Sequence, residues 1–171
     1  MSIRRTNAMA ATLFAVALGC AAGCSGSDAV EAAAADASRP ASACAGDPRA
    51  QTYAAGMEQP GLAGNARVRL VVADPAPPAK GLNAWTLQVV DAGGAPIVGA
   101  VVTVKPFMPD HGHGSSLVPS ATPTDAAGRS SVTGLELFMA GVWEVSVLVA
   151  LPADAGVSAT DTAKLTFCVD G

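Results

Sequence analysis

Short stretches in which apolar residues recur at every second position constrain this chain more than any other feature. Val68, Leu70 and Val72 alternate with Arg67 and Arg69, and Trp85, Leu87 and Val89 alternate with Ala84, Thr86 and Gln88. Val102 and Val104 alternate with Thr103 and Lys105, Trp143, Val145, Val147 and Val149 with Glu144 and Ser146, and Leu165, Phe167 and Val169 with Lys164, Thr166 and Cys168. A weaker stretch runs from Arg129 to Leu135. Successive side chains of a strand point to opposite faces, so each stretch can bury one face and wet the other. Segments such as Asp91-Ala92-Gly93-Gly94-Ala95-Pro96 break the series at turns. Six or seven such strands without a convincing helix predict an all-β fold, an Ig-like antiparallel sandwich of about seven strands. Trp85 and Trp143, each opening an alternating series, belong to its core.

The residues ahead of this pattern have a different character. Arg4 and Arg5 precede an uncharged apolar stretch from Ala8 to Gly23 that ends in small residues, the three parts of a secretory signal. The stretch is shorter and more dilute in large apolar residues than the roughly 20 needed to span a bilayer. Ala21-Ala22-Gly23-Cys24 and Ala17-Leu18-Gly19-Cys20 both resemble a lipobox, in which the cysteine thiol receives diacylglycerol. Cys24 is the favoured acceptor, because Ser-Gly-Ser-Asp follows it; Cys20 is the alternative. Residues 1–23 therefore read as a lipoprotein signal peptide and 24–43 as a disordered tether poor in large apolar residues. The domain would occupy residues 44–171, with an N-terminal extension to about Gly64 forming a short helix or loop on its surface.

Export would leave Cys44 and Cys168 in an oxidising compartment, where an even pair usually bridges. Closing so long a loop stabilises a fold by up to ~4–5 kcal/mol on chain entropy alone. Without the first 23 residues the chain has eight basic and fourteen acidic residues, a net charge of −6. That balance argues against nucleic acid or an anionic membrane face as partner. The expected membrane attachment is the lipid alone, in the cell envelope, facing the periplasm or the exterior.

Both histidines of the chain sit in one loop, Met108-Pro109-Asp110-His111-Gly112-His113-Gly114. In extended backbone, residues two apart share a side, so His111 and His113 can present their rings together. Imidazole suits copper, zinc and nickel, and thioether selects Cu(I). Met108 is close in sequence, and Met139 lies in a second loop, Leu137-Phe138-Met139-Ala140-Gly141. Two loops meeting at one end of a sandwich would assemble Met108, His111, His113 and Met139 as a copper set. Met108 has the wrong strand parity, so Pro109 or Gly112 must break the extended run. Asp110 can orient a histidine from behind or simply form the turn after Pro109. The alternative is a glycine-rich loop whose imidazoles bond to backbone, with both methionines plugging the sandwich end.

Catalysis fits poorly. Ser115, His113 and Asp110 supply the atoms of a triad, but neighbours in one short loop rarely adopt its geometry. The sequence contains neither a phosphate-cradling glycine loop nor a zinc-protease helix motif. A non-enzymatic role is expected.

Four stretches together resemble the YtkA-like/FixH-like periplasmic domain over about Asn65 to Val169: residues 85–91, 94–104, the Met-Pro-Asp-His-Gly-His-Gly loop, and Phe138-Met139-Ala140-Gly141-Val142-Trp143-Glu144-Val145. Ala140 stands where the family pattern has proline. The resemblance implies an extracytoplasmic Ig-like sandwich, often found beside copper-handling or oxidase-assembly proteins. Two functions are expected from these observations: copper storage or delivery by a tethered lipoprotein, or a metal-free Ig-like interaction or structural module of the envelope.

Overall fold

The computed structural model describes residue 42 and residues 44–152 and 159–171. The expected signal peptide, both candidate lipid-bearing cysteines, and the tether other than Ser42 lie outside the described residues. The six period-two stretches become strands, and three short strands that show no period raise the count from the expected seven or so to nine among the described residues: β1 (Met57–Pro60), β2 (Arg67–Asp74), β3 (Gly81–Val90), β4 (Val101–Met108), β5 (His113–Gly114), β6 (Ser120–Ala121), β7 (Arg129–Leu137), β8 (Gly141–Ala150) and β9 (Thr160–Val169). They form two antiparallel sheets, ordered β1-β2-β3-β7-β6 and β5-β4-β8-β9. The all-β sandwich read from the alternation is the fold.

The apolar positions of the two sheets meet in one core. Leu70, Leu87, Val145 and Leu165 are fully buried within it, as is Trp143, and Trp85 nearly so. Trp85 packs edge-on against Phe167 of the opposite sheet, with ring centres 5.8 Å apart, a favoured aromatic geometry. Val72 departs from the expected pattern. A register shift between Leu70 and Val72 in the β2–β3 pairing advances the strand by one residue. Ala73 then faces inward and Val72 is 49 % exposed, because a bulge flips every side chain beyond it.

The segment before the first expected strand also differs from the sequence reading. Residues 57–60, placed in a helix or loop, pair with β2 as the edge strand of the five-stranded sheet. Ahead of it, residues 44–53 form a strap alongside β9. Cys44 and Cys168 are joined by a disulfide with an S–S distance of 2.01 Å. Gln51 donates its backbone N–H to the Thr166 carbonyl at 2.8 Å, and the Gln51 amide oxygen accepts from the Thr166 N–H at 3.0 Å. Tyr53 then packs against Phe167, ring centres 6.4 Å apart.

Two buried polar side chains tie the connections to the sheets. Asp161, on β9 and only 3 % exposed, accepts backbone N–H groups of Ala63, Asn65, Ala66 and Thr162 at 2.8–3.0 Å. Burial pushes its carboxyl pKa up, but the four N–H donors outweigh that and hold it below the usual carboxylate value. A Cβ on Gly61 would overlap the Asp161 carboxylate, so the chain passes this point on a residue without a side chain. Thr124 plays the same part at the start of β4: its hydroxyl accepts from the Ala100 N–H at 2.8 Å and donates to the Ile97 carbonyl at 2.7 Å.

Candidate metal centre

The histidine loop is the tight connection between β4 and β5. Met108 and His113 are cross-strand partners, as are Phe107 and Gly114. The Met108 carbonyl closes the turn by accepting the N–H groups of His111, at 3.3 Å, and of Gly112, at 2.9 Å. Gly112 has φ of 69°, a left-handed conformation that glycine adopts without steric cost. This is the break in the extended run that convergence of the loop requires. His111 therefore stands in the turn and His113 on β5, rather than both on one extended strand. Their rings nonetheless lie side by side, centres 5.6 Å apart at an interplanar angle of 46°.

The second loop lies against the first. Phe138, between β7 and β8, stacks on the His113 ring at 5.4 Å and 21°. Phe138 also meets Trp143 edge-on at 5.6 Å, and Trp143 donates its indole N–H to the Met139 carbonyl at 2.9 Å. A run of contacts thus links the β7–β8 loop, the core tryptophan and His113. Met139 is partly buried against the core. Met108 is fully buried within it. Directly opposed residues of an antiparallel pair leave the sheet on the same side, so Met108 and His113 are lateral neighbours on one face of the four-stranded sheet.

His113 Nδ1 is 3.2 Å from the Gly114 carbonyl oxygen. A carbonyl only accepts, so this contact selects the tautomer with the proton on Nδ1 and leaves the Nε2 lone pair free. Beside His113 opens a cavity of about 450 Å³ lined also by Gly114, Ser115, Ser116, Glu136 and Phe138. The Ser115 hydroxyl donates to Glu136 at 3.3 Å. Sequence reasoning did not single out Glu136. It lies between the buried Leu135 and Leu137, beyond a register shift that reverses the alternation set by Ser130 and Val132, and its position opposite Ser115, 21 residues away, is a product of the fold.

Asp110 makes its side-chain hydrogen bonds to the strap and none to the histidines that follow it. Its two carboxylate oxygens accept from the Arg49 guanidinium, Nη1 at 2.7 Å and Nη2 at 2.8 Å. Arg49 in turn is held by Asp47 through Nε at 3.0 Å and Nη2 at 2.7 Å. The guanidinium holds the Asp47 carboxyl down to about 2 and keeps Asp110 below the usual carboxylate value; both carboxylates in return raise the Arg49 pKa. Arg49, on the strap 61 residues from Asp110, had no signal in the sequence. Among the described residues no three His, Cys, Asp or Glu side chains gather as a metal-binding group.

No curated protein and no solved structure matches the chain. A family model does, over residues 63–148, half of the chain; the match takes in both loops and ends before β9. On that match the protein belongs to the YtkA-like family.

Proposed function

We propose that this protein binds copper through His111 and His113 and holds it for storage or delivery in the cell envelope, to which lipid on Cys24, or on Cys20, attaches it. The observation that carries the reading is the spacing of the two rings. An ion about 2 Å from an imidazole nitrogen stands about 3 Å from the ring centre, so rings with centres within about 6 Å can share one ion. At 5.6 Å the two histidines meet that limit. His113 has Nε2 left over for the purpose, and stacking on Phe138 restricts its ring.

The thioethers give the proposed site its soft character. Met139 sits in the loop that packs on His113 through Phe138. Met108, the cross-strand partner of His113, is fully buried, so Met139, only partly buried, is the more accessible thioether. Copper is cargo in this reading, and partners that load or unload it would be copper-handling or oxidase-assembly proteins. Titration of the full chain in detergent with Cu(I) under anaerobic conditions, against a chromophoric chelator, tests the proposal, with a parallel Cu(II) titration. Affinity should fall at least about 10-fold in the His111→Ala/His113→Ala double variant; an unchanged affinity rejects the site. Radiolabelled fatty acid should be incorporated by the wild type and lost on Cys24→Ser, or on Cys20→Ser if that cysteine is the acceptor.

A second reading, a metal-free interaction module, draws on exposed apolar residues next to the same loop. Phe107, Leu117 and Val118 are all exposed, and Leu117 and Val118 line a groove along β4. It predicts a crosslinked protein partner whose binding ignores chelators.

A further inference from the structure

We propose that Arg49 is a positioning residue for the histidine loop, with the strap acting as a clasp that fixes the turn bearing His111 and His113; this rests on the reading of those histidines as copper ligands. The strap is built for rigidity at its own end. The disulfide fixes Cys44 to Cys168, the Gln51–Thr166 pair of hydrogen bonds fixes the middle to β9, and Tyr53 packs on Phe167. Between these anchors, Asp47 grips Arg49 by one edge of the guanidinium and also accepts the Arg49 backbone N–H at 2.9 Å. That fixes the fork before it meets its second carboxylate.

The other edge engages both oxygens of Asp110, the residue immediately before His111. Among the described residues, no other side chain outside the turn donates a hydrogen bond to residues 109–112. The Arg49 and Asp110 side chains are 45 % and 49 % exposed, and an isolated surface pair contributes little to global stability. This pair is bidentate and belongs to a network, the condition under which such pairs hold a geometry. Its work is therefore local: it restricts where the β4–β5 turn can stand and hence the spacing of the two imidazoles. Arg49 lies outside the residues that match the family model, and Asp110 lies within them.

The test compares Arg49→Ala, Asp110→Ala and the double variant with the wild type, all as full chains in detergent. Arg49→Ala should melt within a few degrees of the wild type, weaken Cu(I) binding on the order of 10-fold, and speed amide exchange at His111 and Gly112 in the metal-free protein. If Arg49 acts through Asp110, the double variant should be no weaker than the worse single variant, and Arg49→Lys, which keeps the charge and loses the fork, should recover part of the affinity. Wild-type copper affinity and wild-type exchange in Arg49→Ala would overturn the clasp, as would additive losses in the double variant. If His111→Ala/His113→Ala lowers affinity while Arg49→Ala does not, the clasp alone fails. If neither variant changes affinity, the copper reading fails with it.

Discussion

The terminal methyl of Met108 stands 2.7 Å from the position a Cβ on Gly141 would occupy. Gly141 begins β8 with φ of 137°, in the region that side chains disfavour, and Met108 is fully buried. The last residue of β4 is thus packed against the first residue of β8, and the two loops of the candidate site issue from that contact.

Gly141→Ala should consequently destabilise the domain by about 1–3 kcal/mol, adding a backbone penalty to overpacking of the core. Met108→Ala opens a cavity instead and should cost about 2–5 kcal/mol. Chemical denaturation of both variants checks the pair. A neutral Gly141→Ala would mean that the methionine moves aside freely and that the junction is loosely packed.

Asp161 gives the fold a pH dependence of known sign. Its carboxyl pKa is lower folded than unfolded, so the stabilisation is present above the unfolded value, about 3.9, and is lost as the pH falls through the lowered one. Asp161→Asn should cost about 1–3 kcal/mol near neutrality, since an amide presents one acceptor and an unwelcome donor to four N–H groups. The variant should also lose stability less steeply than the wild type on acidification below about pH 4. Denaturation curves at several pH values read both effects.

Removing the Cys44–Cys168 bridge with a Cys44→Ser/Cys168→Ser variant should destabilise the domain by about 2–5 kcal/mol. Because the strap begins at this bridge, the cuts that limited proteolysis gains in the variant should fall within residues 44–53. Equal protection of the strap in both proteins would show that the Gln51 and Tyr53 contacts suffice to hold it.

The strands were legible where a face is buried over several residues, because burial on one side imposes period two. β5 and β6 are two residues each and too short to display any period. β1 has no alternation, since Met57, Glu58 and Gln59 are all partly buried at a sheet edge. The β2 bulge moved Val72 outward, and composition carries no mark of a one-residue shift. At the site, the two adjoining loops could be anticipated from hairpin connectivity, whereas the His111 and His113 rings come together across a turn and not, as their spacing suggested, along one extended strand. Local sequence suggests Asp110 as a turn residue or a histidine partner; its attachment to Arg49 depends on a strap that the disulfide brings across from β9. Contacts of that kind are properties of the folded chain.

Two imidazoles bound to one ion leave a direct spectroscopic trace. X-ray absorption at the copper edge should be measured on the copper-loaded full chain in detergent. The wild type should show the outer-shell scattering of imidazole rings, and that scattering should fall sharply in His111→Ala/His113→Ala. A wild-type spectrum without imidazole scattering, or one unchanged by the double substitution, would contradict copper binding by this pair.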